Sequence, residues 1–264
     1  KITLTNFSQV VTCDTNGKNL KRGKSLSEIN VLENHSIVVE DGVIKDIIPD
    51  NSSNKISTDQ KINFHGKTIL PGLIDCHTHT AFAGSRANEF KEKIAGVHYE
   101  EIAKRGGGIL TTVNAVRNST LTDLVDIIKP RIREFISQGV TTLEIKSGYG
   151  LDFENEIKLL HTIKVLEEIF PIEIVSTFLG AHTFPLEYKE DHKGYVDLII
   201  DKMIPHIAKN NLAEFCDGFC EKTAFTSKDI DKIFQSAVNA GLKLKLHTEQ
   251  FNNVGGLEIA LKHK

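Results

Sequence analysis

Two histidines spaced one residue apart have the clearest chemical potential in this chain. His77 and His79 end an apolar run that begins at Leu70. Successive side chains of a strand point to opposite faces, so both imidazoles would project from the same side of a strand end and could meet one cation. The pair predicts half of a metal site. For an isolated pair of this kind, the alternative is a structural role.

A third histidine is a candidate partner for this pair. His247 follows a second predicted strand end, after residues 242–246. Three neutral imidazole nitrogens suit zinc or iron and leave at least one position open for water. A bound metal lowers the pKa of that water towards about 7, so that hydroxide is available near neutral pH. His77, His79 and His247 therefore predict a hydrolytic centre with one Zn²⁺, Fe²⁺ or Fe³⁺ ion.

A repeating pattern of strands and helices would position these histidines. From residue 66 onward, short β-branched runs alternate with amphipathic stretches, which is typical of parallel β/α units. The predicted strands cover residues 68–76, 141–146, 173–179, 215–221 and 242–246. The predicted helices cover residues 121–137, 153–170, 196–210 and 227–240, with Asp152 and the pair Thr226-Ser227 placed as caps. No Gly-rich dinucleotide fingerprint follows the first strand, which disfavours a nicotinamide-binding sheet.

Polar residues follow the carboxyl end of each predicted strand. In a β/α barrel that end carries the active site. In chain order these residues are His77, His79 and Arg86, then Tyr149, then His182, then Glu221, and finally His247 and Gln250. The predicted fold is therefore an α/β barrel with its active site at this end. Five β/α units are visible, whereas a closed barrel needs eight.

The first 64 residues lack this repeat and predict a small β-rich accessory domain. Residues 36–48 fit two strands joined by Asp41-Gly42, because this dipeptide suits the positive φ angles of a tight hairpin. Alternation in residues 1–13 adds another strand. The predicted domains are residues 1–64, which form the amino-terminal part of a β-sandwich, and residues 65–264, which form strands one to five of the barrel.

Several polar residues near the strand ends have two interpretations. Arg86 could hold a substrate carboxylate bidentately, or it could be a solvated surface charge. Tyr149 could hydrogen-bond a substrate or fill its own loop, and His182 is equally ambiguous. The glycines at 106–108 form either an anion-receiving loop or a turn. The histidines treated as non-catalytic are His35, His65, His98, His161, His192, His206 and His263.

Charge and composition exclude several classes of partner. The net charge of -3 arises from 32 basic and 35 acidic residues mixed along the chain, without the basic stripe that nucleic acid binding needs. No apolar stretch is long enough to span a membrane. The four cysteines lack paired spacing and predict a reduced cytoplasmic protein with buried thiols. A small-molecule substrate is expected, and a homodimer is the base-rate expectation for assembly.

Six runs of the sequence resemble the imidazolonepropionase family of the metal-dependent amidohydrolase superfamily. They are PGLIDCHTHTAFAGSRANEF, GGGI, TTLEIKSGYGLD, TFLGAH, FCDGFCE and KLHTEQFNNVGG, which lie between residues 71 and 256, and the resemblance extends over nearly the whole chain. The resemblance implies a (β/α)8 barrel with a β-sandwich accessory domain. It also implies a reaction of histidine degradation, in which a metal-activated water hydrolyses the ring amide of 4-imidazolone-5-propanoate to N-formimidoyl-L-glutamate.

The resemblance also implies roles for individual residues. His77, His79 and His247 would hold zinc or iron; Arg86, Tyr149, His182 and Gln250 would bind substrate; His182 and Gln250 would also take part in catalysis. Two further family residues, an aspartate from the eighth strand and a histidine after the sixth, have no counterpart in residues 1–264. The chain is therefore expected to be part of a longer enzyme and inactive alone, with an open barrel edge and exposed apolar surface.

Two other functions remain open on sequence grounds. One is a related deaminase or cyclic-amide hydrolase that acts on a different ring. Arg86 argues against it, because a guanidinium suits a substrate with a free carboxylate. The other is an inactive module with a structural role, which metal content would distinguish.

Overall fold

The structure, a computed structural model, describes residues 1–18, 20–98, 101 and 107–263. The chain divides into two units, Lys1–Gly72 and Leu73–Lys264. The strands are β1 (Ile2–Thr5), β2 (Gln9–Val11), β3 (Val31–Leu32), β4 (His35–Glu40), β5 (Val43–Pro49), β6 (Gln60–Asn63), β7 (Thr68–Ile69), β8 (Leu73–Asp75), β9 (Val140–Lys146), β10 (Glu173–Ala181), β11 (Phe215–Cys220), β12 (Lys243–Leu244) and β13 (His247–Thr248). The α-helices are Asp50–Ser53, Ala87–Ile94, Ile109–Asn118, Leu121–Ser137, Phe153–Ile169, His192–Leu198, Ile204–Lys209, Ser227–Asn239 and Gly256–Lys262, with 3₁₀ turns at Gly23–Ser27 and Leu186–Tyr188 and a π turn at Ile199–Met203.

The first unit is built from two small sheets. One has the strand order β5-β4-β1-β6, and the other has the order β3-β2-β7. The predicted hairpin is confirmed: β4 and β5 are antiparallel, and Asp41 (φ 52°) and Gly42 (φ 77°) at its turn lie in the left-handed region. The hydrophobic core of this unit is small and centres on Phe7, Val10 and Ile37.

The strand predicted over residues 68–76 is wrong as a single element. It is divided into β7, which pairs with β2 in the first unit, and β8, which pairs with β9 in the second. Pro71-Gly72 separates the two strands, and proline has no N–H with which to continue a sheet ladder. The paired histidines therefore follow a strand of only three residues.

The second unit contains a parallel sheet with the order β12-β11-β10-β9-β8. Each neighbouring pair is parallel, and helices connect consecutive strands. The short strand β13 lies beyond β12 along the chain and pairs with the end of β11. This arrangement is the first part of a (β/α) barrel, as predicted. Among the described strands, β8 is an edge strand of this sheet with one neighbour, β9. Its Leu73 and Ile74 are accordingly 50% and 70% exposed.

The predicted helix caps are confirmed. Asp152 accepts a hydrogen bond from the Asn155 amide at the start of the helix Phe153–Ile169. Thr226 accepts a hydrogen bond from the Asp229 amide at the start of the helix Ser227–Asn239. Each cap satisfies an amide that has no partner within its own helix.

One predicted helix begins earlier than expected. The pattern favoured a start at residue 196, whereas the helical segment begins with His192–Leu198. Asp191 explains the difference, because its carboxylate accepts a hydrogen bond from the Gly194 amide and so caps the earlier position.

The cysteine prediction is only partly correct. Cys216 and Cys220 are buried, whereas Cys13 and Cys76 are exposed. Each exposed cysteine follows a strand and lies on a connecting segment, where side chains are usually at the surface. Among the described residues, no helix has the length and apolar character needed to cross a membrane. The cytoplasmic location and the homodimer stay predictions.

Candidate metal centre and substrate cavity

The three predicted metal ligands come together at the carboxyl ends of the parallel strands. One nitrogen from each of His77, His79 and His247 lies within 4.8 Å of the others. The ring centroids of His77 and His247 are 4.4 Å apart, although their strands lie at opposite ends of the sheet. Neighbouring strands are spaced by about 4.8 Å, so a flat sheet would hold these strands roughly 19 Å apart. The curl of the sheet therefore assembles the site.

The free nitrogens of this cluster fit a transition metal. Within the described part of the chain, His79 Nδ1 and His247 Nε2 are buried and have no hydrogen-bond partner. Leaving a buried polar atom unpaired costs free energy, which a bond to a cation would recover. Three imidazole nitrogens suit zinc or iron, whereas magnesium and calcium prefer oxygen ligands.

Burial keeps the imidazoles of His77 and His79 in the neutral form that a metal requires. It lowers the pKa of His79 to about 3, with further contributions from the neighbouring His182 and His247. Burial also lowers the pKa of His77, and the positive charge of Lys146 adds to the effect. His77 and His79 are therefore uncharged at pH 7, and each has a lone pair to offer.

A buried group of three charged side chains lies beside the histidines. Glu144, Lys146 and Asp217 are 3%, 0% and 1% exposed. The Lys146 ammonium lies 2.6 Å from Glu144 Oε1 and 2.9 Å from Asp217 Oδ2. None of the three was predicted as part of the site. The signal was present, because charges at alternate positions of a buried parallel strand share one face and need partners.

Both ends of this charged group reach the histidines. Asp217 Oδ1 and Oδ2 each lie 3.1 Å from His247 Nδ1. Glu144 Oε2 accepts a hydrogen bond from the backbone amide of Thr78, the residue between the paired histidines. Because Nδ1 of His247 faces a carboxylate, its proton is held there and Nε2 keeps the lone pair.

An open cavity of about 940 Å³ adjoins the histidine cluster. Its lining residues include Arg86, His98, Tyr149, His182, Phe219 and Glu221. His182 connects the cavity to the cluster, because its ring centroid is 5.3 Å from that of His79 and 5.3 Å from that of Tyr149. A space of this size accommodates a small-molecule substrate. His98, which was predicted to be non-catalytic, lies in the cavity wall.

His182 is oriented by the loop after β9. Its Nδ1 lies 2.8 Å from the carbonyl oxygen of Gly148. A carbonyl can only accept, so Nδ1 carries the proton and Nε2 is the acceptor nitrogen. Burial lowers the pKa of His182 to about 4, while the bond to Gly148 opposes the decrease. The ring is therefore neutral at pH 7.

The loop that carries Tyr149 is shaped by a buried carboxylate. Glu156, which was not predicted, accepts hydrogen bonds from the amides of Gly148, Gly150 and Leu151. Gly148 adopts a φ of 103°, and a Cβ there would lie 2.9 Å from a backbone oxygen of β10. The loop therefore has one well-defined conformation, which fixes the Gly148 carbonyl and the Tyr149 side chain.

Arg86 is held in the cavity wall by an ion pair. Its Nε donates to Glu89 Oε2 at 2.8 Å. The same carboxylate accepts hydrogen bonds from the Gly108 amide and the Thr111 hydroxyl. This anchoring gives the guanidinium a defined position, which suits carboxylate recognition. The glycine run predicted as an anion loop is described only in part, because Gly106 lies outside the described residues.

The structure does not place Gln250 at the cavity. This residue is exposed and is not among the described residues that line the space. Its predicted roles in substrate binding and catalysis stay predictions. Glu221 holds the segment that follows, because its carboxylate accepts hydrogen bonds from the amides of Phe251 and Asn252. Hydrogen bonds from the Lys222 amide and from these two amides lower the pKa of Glu221.

The lowered pKa of His182 predicts acid sensitivity of the metal-free protein. Unfolding restores the ordinary value of 6.5, so the unfolded chain binds more protons between that pH and about 4. The free energy of unfolding should therefore fall as the pH falls, by about 1–2 kcal/mol between pH 7 and 5 from this residue. Denaturant titrations across this range measure the loss. The dependence of the free energy of unfolding on pH should weaken in His182→Gln. It should persist in His161→Gln, a control at an exposed position. An unchanged pH dependence in His182→Gln would contradict the lowered pKa of His182.

The chain is similar both to curated proteins and to solved structures. No family model matches the chain. The imidazolonepropionase of Alkaliphilus oremlandii is 44% identical over 262 residues, which cover 97% of this chain and 61% of that protein. The imidazolonepropionase of Clostridium tetani is 41% identical, over 98% of this chain and 62% of that protein. The chain thus spans about three fifths of the length of these curated relatives.

Solved structures show the fold. Guanine deaminase of E. coli matches with a TM-score of 0.64 at 11% identity, over 93% of this chain and 53% of that chain. A 5-methylcytosine deaminase from Klebsiella pneumoniae matches with a TM-score of 0.60 at 13% identity, over 97% of this chain and 55% of that chain. With the curled parallel sheet, these matches show that the fold is a partial (β/α) barrel. Over nearly its whole length the chain is similar to the imidazolonepropionases, and the resemblance seen in its motifs is confirmed.

Proposed function

We propose that this chain is the part of an enzyme that hydrolyses the ring amide of 4-imidazolone-5-propanoate to N-formimidoyl-L-glutamate. The observation that carries the proposal is the convergence of His77, His79 and His247 beside a cavity that Arg86 lines. Similarity to imidazolonepropionases supports the choice of substrate. The substrate offers a ring amide for hydrolysis and a propanoate carboxylate, for which a guanidinium is a suitable partner.

The three histidines would hold one zinc or iron ion. When bound, such an ion supplies Lewis acidity, which polarises a carbonyl and makes hydroxide available near neutral pH. The chain prepares its nitrogens for this role in two ways. Burial keeps His79 uncharged, and the Asp217 carboxylate holds the proton of His247 on Nδ1, away from the nitrogen offered to the ion.

Three cavity residues would bind and orient the substrate. Arg86, anchored by Glu89, would hold the propanoate carboxylate. Burial raises the pKa of Tyr149, so its hydroxyl stays protonated and can donate a hydrogen bond. His182 is a neutral ring with its proton held towards Gly148, so its Nε2 would accept a hydrogen bond from a ring N–H. We therefore assign His182 to substrate orientation at neutral pH, because a pKa of about 4 makes it a poor proton donor there.

An activity assay tests this proposal. The longer enzyme of which this chain is expected to be part is purified, loaded with Zn²⁺ or Fe²⁺ and incubated with 4-imidazolone-5-propanoate, and the products are separated by chromatography. N-formimidoyl-L-glutamate should form, and a metal chelator should stop its formation. Reaction with an uncharged ring such as cytosine, and none with imidazolone propanoate, would favour a related deaminase instead. An inactive module would show neither bound metal nor hydrolysis.

A further inference from the structure

Lys146 is a fully buried cation at the end of β9. A buried ammonium is costly unless it is paired and hydrogen-bonded, so its partners define its role. Its Nζ lies 2.6 Å from Glu144 Oε1, on the same strand, and 2.9 Å from Asp217 Oδ2, on β11. One cation therefore links two carboxylates across the sheet.

The two carboxylates lead to different parts of the metal centre. The Glu144 side chain accepts the Thr78 amide at 3.0 Å, and the Thr78 hydroxyl donates to the Glu144 carbonyl oxygen at 2.6 Å. These two bonds tie the segment of the paired histidines to β9. Asp217 meets Nδ1 of His247 at 3.1 Å. Lys146 thus connects, through these two carboxylates, the segment that carries His77 and His79 with the segment that carries His247.

A second lysine strengthens the same connection. Lys245 Nζ donates to the carbonyl oxygen of Cys76 at 2.8 Å and lies 3.6 Å from Glu144 Oε1. Counted together, Glu144, Lys146, Asp217 and Lys245 carry two negative and two positive charges, so the group is balanced. Neither ammonium has a lone pair to offer a metal.

We propose that Lys146 is a positioning residue that sets the spacing between the paired histidines and His247, and thereby the affinity of the metal centre. The inference rests on the proposed metal site. An ammonium suits this role, because its three donors can engage carboxylates from two strands at once. The effect on the metal passes through Glu144 and Asp217, which orient the histidine segments.

Zn²⁺ binding by a Lys146→Met variant tests the proposal. Methionine keeps an unbranched apolar stem and removes the ammonium. Competition with a chelator should show that Zn²⁺ binds about 10-fold more weakly, as is usual when a partner of a metal ligand is removed. The d–d absorption spectrum of the Co²⁺-loaded protein should also change, because the nitrogens are displaced relative to one another.

A matched control separates positioning from general stability. Lys158 is partly buried, whereas Lys146 is fully buried, and Lys158 donates to the backbone carbonyls of Val116 and Ser119. It has no hydrogen bond to the histidine segments in the described residues, so Lys158→Met can lower stability but should leave the Zn²⁺ affinity and the Co²⁺ spectrum unchanged. Thermal unfolding of both variants shows whether their stabilities are comparable.

A double variant covers the possibility that Lys146→Met does not fold. Glu144→Gln combined with Lys146→Met removes one charge of each sign and keeps the charge of the buried group balanced. If either variant folds and has the Zn²⁺ affinity and Co²⁺ spectrum of the wild type, the proposal is overturned. If neither variant folds, the proposal is also overturned, because the role of Lys146 is then to stabilise the fold. If the wild-type protein binds no Zn²⁺, the proposed metal site fails as well; if it binds Zn²⁺ and the variants bind equally, only the positioning role fails.

Discussion

In the longer enzyme of which this chain is expected to be part, a His77→Ala variant should lose both bound metal and the proposed hydrolytic activity. Its ring lies 4.4 Å from that of His247, and its nitrogen is one of three that converge. Zinc sites are worth about 10–16 kcal/mol over four ligands, so the loss of one should weaken Zn²⁺ binding roughly 100- to 1000-fold. Elemental analysis of the purified variant and an assay with 4-imidazolone-5-propanoate measure the two effects.

The matched control for this experiment is His161→Ala. His161 is exposed on the helix Phe153–Ile169 and faces no other histidine ring in the described residues. It should therefore retain wild-type metal content and activity. Stoichiometric metal in purified His77→Ala would contradict the assignment of this residue as a ligand.

In the same longer enzyme, replacing Arg86 with alanine should raise KM for the proposed substrate 4-imidazolone-5-propanoate by about 10- to 150-fold. This factor corresponds to the roughly 1.5–3 kcal/mol of a hydrogen bond between charged groups. The guanidinium lines the cavity and is anchored by Glu89, so its loss removes a preformed carboxylate site. The turnover number should change little, because the carboxylate is remote from the reacting amide. Steady-state kinetics with the propanoate substrate and with an uncharged ring analogue measure both effects.

Two further variants make the Arg86 result interpretable. Arg133→Ala removes an exposed arginine outside the cavity and should keep the wild-type KM. Arg86→Lys retains a positive charge beside Glu89 and should fall between the wild type and Arg86→Ala. An equal rise in KM for the uncharged analogue would show that Arg86 maintains the loop and does not recognise the carboxylate.

The local features of this chain could be predicted because each depends on neighbouring residues. Asp152 and Thr226 cap their helices through amides three residues away, and Asp41-Gly42 forms a hairpin turn. The phase of the strand repeat was enough to place His77 and His247 at the same end of the sheet. Alternation along a strand shows to which face each side chain points, and the carboxyl ends of parallel strands lie at the same edge of the sheet.

The remaining features depend on how far the sheet curls. Strand order alone would hold His77 and His247 far apart, and nothing local in the sequence gives the curvature that brings them together. The pairing of Lys146 with Asp217 also depends on the tertiary structure, because Asp217 comes from another strand. The position of His98 in the cavity wall depends on the long segment after β8, for which the sequence pattern predicted neither a strand nor a helix.

The hydrogen bond between Lys245 and Cys76 joins residues that are 169 positions apart along the chain. Closing so long a stretch costs entropy that no local contact repays, and contacts of this range form late and slowly during folding. In the folded sheet, β8 and β12 are connected through the intervening strands β9, β10 and β11. We therefore expect the sheet to assemble before the three imidazoles bind a metal ion, whereas the ligands of a small zinc finger fold around theirs. Metal capture instead reports that the sheet has already assembled.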